Sequence, residues 1–336
     1  MILLLVINSP YMKKNIAIIM GGYSSEVEIS LKSGGVVYQH LNRELYNPYK
    51  VYILKNRWVV LDEHGVEYDI NKHDFSVNIN GDHLVFDCVF NAIHGHPGEN
   101  GVILAYFELI GIKHTSAPFY PMALTFNKRD TLNAVKAYGI KTATSVYIDK
   151  GDLFKIEDII SKVGLPCFVK PNNGGSSFGI SKVSNIEQLT PAIEVAFKED
   201  QEILIESYLD GIEISVGVIE YKNKVKVLPI TEIVSENDFF DYEAKYLGKS
   251  NEITPARISK VQQKNAEVVA AKVYNILNIR GFSRSEYIFI GDDPYFLELN
   301  TVPGLTIESI LPKQANAADI SLENLFGNAI EQALKP

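Results

Sequence analysis

The sequence predicts an α/β or α+β chain, and three observations predict it. Strand-like apolar runs alternate with segments whose apolar residues recur at helical spacing, and no low-complexity tract or fixed-period repeat interrupts them. The composition, 46% hydrophobic and 22% charged, is that of an ordinary globular protein. The length, 336 residues, suggests two or three domains at about 100 to 200 residues each.

The first recognisable element is NIAIIM, an apolar run closed by Gly21 and Gly22 and followed by the polar SSEVE. An apolar-periodic stretch then continues to about Leu41, so the unit reads as strand, tight turn and helix, with Ser25 and Glu28 at capping-box spacing. YKVYIL and VFDCVF read as further strands, and GVILAYFELIG as a helix closed by Gly111. These pieces form a first α/β domain, residues 13–124.

A helix at about Lys128 to Tyr138 opens the next stretch. It continues through the strand TSVYI, a helix near Ile156 to Val163, the strand LPCFVK, the glycine-rich NNGGSSFG, a helix around Ile186 to Phe197, and ILIESYL. Asp210-Gly211 punctuates its end, giving a second domain over 125–209. The final third, 210–336, holds the strand EISVGVIE, a polar loop from about Glu232 to Thr254, a helix near Val261 to Leu277, and the hairpin SEYIFI-GDDP-YFLELN. At the other end, the apolar run from Ile2 to Ile7 is too short to span a membrane and lacks the basic start and cleavage site of a signal peptide. Residues 1–12 are expected to be an extension, with Met12 preceding the better domain start.

With 32 Lys and Arg against 41 Asp and Glu, the net charge of −9 argues against non-specific nucleic-acid binding. An anionic small ligand would need a local cluster of cations. The two cysteines, Cys88 and Cys167, lie in short apolar runs and read as buried reduced thiols, which fits the cytoplasm.

Three constellations carry chemistry. PNNGGSSFG lies between a strand ending at Lys170 and another starting near Gly179, where successive backbone N–H groups can face phosphate oxygens and Lys170 adds a point charge. A plain glycine-rich surface loop has the same pattern, and the segment is neither a Walker A loop nor G-x-G-x-x-G. In TFNKRDTL, Asn127 has the look of an N-cap, and Lys128 in the first turn opposes the helix dipole unless an anion lies nearby; a solvated lysine also satisfies the pattern. In the hairpin, Arg284 and Glu286 share one strand face, as do Glu298 and Asn300. If the two faces coincide, two carboxylates and an amide converge beside an arginine, a hard-oxygen set suited to Mg2+; the alternative is a solvated charged face. The simplest coincidence sets Glu286 opposite Glu298 and Ile288 opposite Phe296, which requires an odd-length loop or a bulge.

Taken in order, GGYSSEVEIS, FNAIHGHPGENG, TFNKRDTL, LPCFVKPNNGGSSFGISKV, ILIESYLDGIEISV, FFDYEAKYLGKS and FLELNTVPGLTIESILP resemble the D-alanine:D-alanine ligase family of the ATP-grasp superfamily, from about Lys13 to the C-terminus. The resemblance implies a three-domain ATP-grasp fold, with an N-terminal open parallel-sheet domain and ATP held between the central and C-terminal domains. It matches Lys128 and Lys170 to the lysines on the ATP phosphates, and the loop from Gly174 to Gly179, with Gly175 and Ser177, to the phosphate cover. The segment Glu206, Ser207, Tyr208 and Leu209 matches the adenine-binding connection, Glu213 the ribose acid, and Lys245 a lid lysine. Glu286, Glu298 and Asn300 match the ligands of Mg2+, for which Mn2+ can substitute. Glu26 matches the acid that receives the first D-alanine's ammonium, with Ser176 and Tyr246 completing a hydrogen-bonded triad. His94 matches a substrate-side histidine, Arg284 and the Gly304 N–H the oxyanion donors, and Ser309 the binder of the second substrate's carboxylate.

Two positions depart from the family pattern: Glu286 stands where many members carry Asp, and Gly174 where others carry an acid. The resemblance further implies a cytoplasmic homodimer that forms D-alanyl-D-alanine for peptidoglycan precursors, with the loop at 232–254 as a lid over the site. A D-alanine:D-lactate ligase shares the ATP apparatus, although Tyr246 speaks for the dipeptide form. Another ATP-grasp carboxylate–amine ligase and a catalytically silent nucleotide-binding protein are the wider alternatives.

Overall fold

The first strand, β1 (Lys14–Gly21), divides its side chains between two apolar layers: Ala17 and Ile19 face one core, and Ile16, Ile18 and Met20 face the other. A strand covered on both faces needs apolar residues at every position, which is why NIAIIM is a continuous run. The computed structural model describes residues 13–175, 178–235 and 250–335, so residues 1–12, including the expected extension, lie outside it.

Around β1 the strands β2 (Tyr46–Ile53), β7 (Cys88–Asn91) and β8 (Lys113–His114) run parallel in the order β2-β1-β7-β8. The expected open parallel sheet is only half of what forms. Beyond β2 the sheet continues antiparallel through β3 (Trp58–Leu61), β4 (Glu67–Asn71), β5 (Ser76–Ile79) and β6 (Asp82–Leu84), making eight mixed strands. The links explain this, because connections of a few residues can join only antiparallel neighbours. Asn80 and Gly81, both at positive φ, form the two-residue turn between β5 and β6.

The helix α1 (Val27–His40) starts later than its capping-box spacing predicts. Backbone bonds from Gly22 N–H to Ile53 and from Tyr23 N–H to His96 fix the preceding turn, and the Ser24 hydroxyl accepts the Glu26 N–H. Glu26 therefore occupies the N-cap, and the Ser25–Glu28 box does not form. The helix α2 (Val102–Ile110) ends as expected at Gly111, whose φ of +75° suits glycine. A short helix, α3 (Phe119–Phe126), was not legible in the sequence. It precedes α4 (Lys128–Ala137), whose N-cap Asn127 accepts the Asp130 N–H.

The second sheet, antiparallel, has the order β11-β10-β12-β9 from β9 (Ser145–Asp149), β10 (Cys167–Pro171), β11 (Ser181–Val183) and β12 (Glu202–Ser207). Its core is closed by α5 (Ile156–Val163) and α6 (Leu189–Glu199). A capping box of Asn185 and Gln188 holds residues 186–188 as a single 3-10 turn, so α6 begins after the expected Ile186.

In the third sheet β13 (Ile212–Tyr221) is central, flanked by β17 (Phe282–Ile290) with β18 (Asp293–Asn300), and by β15 (Thr231–Ser235) with β16 (Ser250–Ile253); β14 (Lys224–Val227) also pairs with β13. The ends of the expected polar loop are thus paired strands, with Glu232 opposite Ile253. The backbone at both ends forms an antiparallel ladder, and residues 236–249 lie outside the description. Three helices complete the chain: α7 (Lys260–Ile276), α8 (Ile310–Ala317) and α9 (Leu322–Ala333). Leu325 and Phe326 of α9 join the apolar layer that holds Ile16 and Ile18, with the Phe326 ring 5.7 Å from that of Phe90 on β7, so the last helix packs on the first sheet.

Candidate active site

Register in the β17–β18 hairpin decides whether its charged residues meet. Glu286 lies directly opposite Glu298, and Arg284 opposite Asn300, so the two predicted faces coincide. The expected pairing of Ile288 with Phe296 does not occur; Tyr287 faces Phe296, and Ile288 faces Tyr295. The hairpin loop is the two-residue Gly291-Asp292, and the odd residue is a bulge at Leu297. The bulge turns Leu297 and Glu298 toward the same cleft while Phe296 stays in the core, its ring 5.7 Å from that of Tyr287.

Opposed carboxylates repel unless cations lie between or beside them. Here Arg284 pairs with Glu286, and Lys128 Nζ lies 3.5 Å from Glu298. Arg284 also donates to Ser215 Oγ at 3.1 Å and, through Nη2, to the Asn300 amide oxygen at 2.8 Å. The Asn300 nitrogen in turn donates to Glu99 Oε1 at 2.7 Å.

Every predicted site residue among those described lines one of two adjoining clefts. The first separates the second and third sheets. Lys170 and Glu206 enter it from β10 and β12, Ser207 and Leu209 follow, and Glu213 and Glu286 enter from β13 and β17. The second cleft holds Glu26, His94, Arg284, Asn300, Gly304 and Ser309. Lys128, Gly174, Gly175 and Glu298 line both, so a ligand spanning the two would pass them. Ser176, Ser177, Lys245 and Tyr246 lie outside the described residues.

In the first cleft Lys170 Nζ is 2.8 Å from Glu206, whose other oxygen accepts the Ser145 hydroxyl. Burial alone would lower the lysine's pKa, but the charge and hydrogen bond of Glu206 outweigh it and hold the ammonium above its ordinary value. The Glu206 carboxylate is therefore committed to Lys170. Lys128 Nζ donates to the Gly174 carbonyl at 2.8 Å, tying α4 to the glycine-rich loop.

In the second cleft the Glu26 carboxylate rests against Gly175, where any Cβ would come within 3.1 Å of it. Gly304 is likewise close to Ser309, its missing Cβ only 2.7 Å from Oγ. Ser309 is the N-cap of α8 yet caps nothing, its hydroxyl pairing with Thr306 at 2.8 Å. That hydroxyl and the helix N-terminus suit a carboxylate. His94 is buried, which depresses its pKa although Glu26 opposes the shift; its Nε2 lies 3.0 Å from Ser33 Oγ. Ser33 also accepts the Leu305 N–H, so α1 and His94 bracket the turn that carries Gly304.

Sequence reasoning missed Glu99, Ser33, Ser145 and Ser215. Glu99 is buried on the loop after β7, and burial, reinforced by the negative Glu26, pushes its pKa up to about 7. Its signal was available: a lone acid in the glycine-rich HGHPGENG. The three serines carried none, since their partners come from distant strands.

Residues 15–117 match the family description "D-ala D-ala ligase N-terminus", and residues 134–331 match "D-ala D-ala ligase C-terminus". A D-alanine--D-alanine ligase of Flavobacterium johnsoniae is 61% identical over 321 residues, 96% of this chain and 99% of the relative. The chain belongs to the D-alanine–D-alanine ligase family.

The family's solved structures share its three-sheet fold. The VanG D-Ala:D-Ser ligase from Enterococcus faecalis superposes with a TM-score of 0.82 at 28% identity, covering 95% of this chain and 99% of that one. The D-alanine--D-alanine ligase from Bacillus anthracis complexed with ATP superposes with a TM-score of 0.77 at 26% identity, covering 96% and 97%. An ATP-grasp ligase of this family uses ATP, and the first cleft has the cations for it.

Proposed function

We propose that this enzyme joins two D-alanines into D-alanyl-D-alanine, converting ATP to ADP and phosphate, as a step in making peptidoglycan precursors. The observation that carries the reading is the shared seam of Lys128, Gly174, Gly175 and Glu298, which connects a cation-lined cleft to one bearing Glu26, Arg284 and Ser309. Homologous ligases of the same name, nearly equal in length, support it.

A carboxylate cannot be attacked directly by an amine, because oxide would have to leave. Transfer of the γ-phosphoryl group to the first D-alanine forms D-alanyl phosphate, whose leaving group is phosphate. In this reading Lys128 and Lys170, with Lys245 from the loop, neutralise the phosphates, while the glycine-rich loop with Ser177 covers them. Glu206, Ser207 and Leu209 border the adenine, and Glu213 takes the ribose. Glu26 receives the first substrate's ammonium within a network completed by Ser176 and Tyr246. The second D-alanine, held at Ser309 by its carboxylate, attacks with its neutral amine after losing a proton to Ser176 or to the phosphate itself. Arg284 and the Gly304 N–H receive the tetrahedral oxyanion, which collapses to the peptide and releases phosphate. His94 serves the substrate side by steadying the turn of Gly304.

The donor set suits a divalent ion. Glu286, Glu298 and Asn300 offer hard oxygens. A Mg2+ site commonly takes one or two carboxylates from the protein and leaves the remaining positions to phosphate oxygens and water. These three residues would hold Mg2+, or Mn2+ in its place, and the ion would supply neutralising charge for the phosphates.

The domains divide at 13–124, 125–209 and 210–336 in this reading, and the enzyme works as a cytoplasmic homodimer. No helix among the described residues is long and apolar enough to cross a membrane. The deciding experiment measures phosphate release from ATP and Mg2+ with D-alanine, L-alanine, or D-alanine plus D-lactate or D-serine, with products identified by mass. D-alanine-dependent release with the dipeptide as product is expected. Release without D-alanine dependence removes the substrate assignment, and a depsipeptide or D-Ala-D-Ser product reassigns the acceptor.

A further inference from the structure

An asparagine amide has nearly the same shape in either orientation, so its neighbours decide which end is the oxygen. Asn300 sits where that choice matters. Its side chain lies between Arg284, which only donates, and Glu99, which accepts. Only one orientation satisfies both: oxygen toward Arg284 Nη2 at 2.8 Å and nitrogen toward Glu99 Oε1 at 2.7 Å. Reversal would set N–H against N–H and oxygen against oxygen.

We propose that Glu99 is a positioning residue for the ligase reaction, fixing the Asn300 amide so that its oxygen, and not its nitrogen, faces Arg284 and the seam beside Glu286 and Glu298. The inference rests on the proposed placement of a metal–nucleotide at that seam. An oxygen held there has a second lone pair for a cation, whereas an NH2 group in its place would repel both the cation and Arg284.

Glu99 is well placed to impose this order because it is itself held. Its Oε2 accepts the Gly95 N–H at 3.1 Å, and its own N–H donates to the Gly95 carbonyl at 2.7 Å. Asn91 and Ser116 fasten the same loop from beneath, with Asn91 Nδ2 3.0 Å from Ser116 Oγ. The carboxylate is thus set by the first sheet's loop, while Asn300 ends the last strand of the third sheet. The contact also registers those two sheets against each other where the substrates must meet.

The test exchanges donor and acceptor. Purified wild-type enzyme, Glu99→Gln, Asn300→Asp and the double variant are compared for Mn2+ binding in the presence of ADP, followed by electron paramagnetic resonance without turnover, and for kcat, KM and thermal midpoint. Glu99→Gln leaves one oxygen for two N–H groups, and Asn300→Asp faces a carboxylate with a carboxylate. Each single change is expected to weaken Mn2+ binding by about 10-fold and lower kcat by about 10- to 100-fold, the usual cost of losing a partner behind a metal ligand. In the double variant the introduced amide donates to the introduced carboxylate, so binding and kcat should recover toward wild type.

Additive losses in the double variant overturn the proposal, as does Mn2+ binding unchanged by Glu99→Gln. A fall in thermal midpoint alone does the same, since it would mean that Glu99 only packs its loop. If the wild type itself fails to bind Mn2+ with ADP, the functional reading of the seam fails instead. Should either single variant not fold, recovery or loss in the double variant still decides.

Discussion

The two clefts hold their polar groups in different ways. In the first, a half-buried cation is matched by a buried carboxylate: Lys170 by Glu206, with Ser145 behind it. In the second, much of the holding is done by backbone and hydroxyl groups, as where Ser33 links His94 to the Leu305 N–H and Thr306 occupies the Ser309 hydroxyl. Charge pairing gives a strong field that is costly to break, because removing one partner leaves the other charged and dry. Backbone and hydroxyl scaffolding gives position with little net charge, so its loss should alter substrate affinity more than folding.

Arg284 belongs to both schemes and should give the largest effect. Arg284→Lys keeps a charge but loses the planar fork that reaches Ser215, Glu286 and Asn300 together. Steady-state kinetics should show kcat falling about 10²- to 10³-fold, the range for a lost oxyanion donor. A loss confined to KM would place Arg284 in ground-state binding only.

Lys170→Met should separate charge pairing from ligand binding. Stranding Glu206 should destabilise the protein by about 3 kcal/mol in urea unfolding. Adding Glu206→Gln should restore most of that stability while ATP affinity stays low. If Lys170→Met alone leaves stability unchanged, the pair is not the strut described.

Ser309→Ala probes the opposite regime. Because the hydroxyl caps no helix N–H, the thermal midpoint should stay within about 2 °C, while KM for the second D-alanine rises about 10-fold, roughly one hydrogen bond to a charged group. A large drop in midpoint with unchanged KM would make Ser309 structural.

The smallest effect concerns pH. Burial lowers the folded-state pKa of His94 below its ordinary 6.5, so the unfolded chain binds the proton first as pH falls. The contribution of neutral His94 to stability is complete above that ordinary value and declines as pH drops from there toward the depressed folded-state value. Comparing wild type with His94→Gln in urea titrations across this range should show a flatter acid limb for the variant. Parallel curves would mean that His94 titrates in the fold as it does in the unfolded chain.

How much of this was legible depended on whether the cause was local. The helix starting at Lys128 and the stop at Gly111 follow from Asn127 and a glycine, which act within one turn, and the sequence shows both. The common face of Glu286 and Glu298, and with it the need for an odd-length loop or a bulge, could be anticipated from period two, but the bulge's place at Leu297 could not, because it is decided by which aromatic residue enters the core. The four antiparallel strands of the first sheet escaped notice because they are short and partly polar, and their stability comes from neighbours already in place. Among site residues, those with motif spacing were found, whereas Glu99 acts through Asn300, some 200 residues away in sequence.

The packing of the last helix, α9, on the first sheet has a consequence for synthesis. Phe90 of β7 leaves the ribosome early, yet Phe326, whose ring lies 5.7 Å from it, arrives only near the end. At about 5–20 residues per second, Phe90 waits roughly 10–50 s for that partner. The apolar layer on this side of the first sheet is therefore completed only when translation is nearly over, and the growing chain presents an apolar surface that a chaperone can hold.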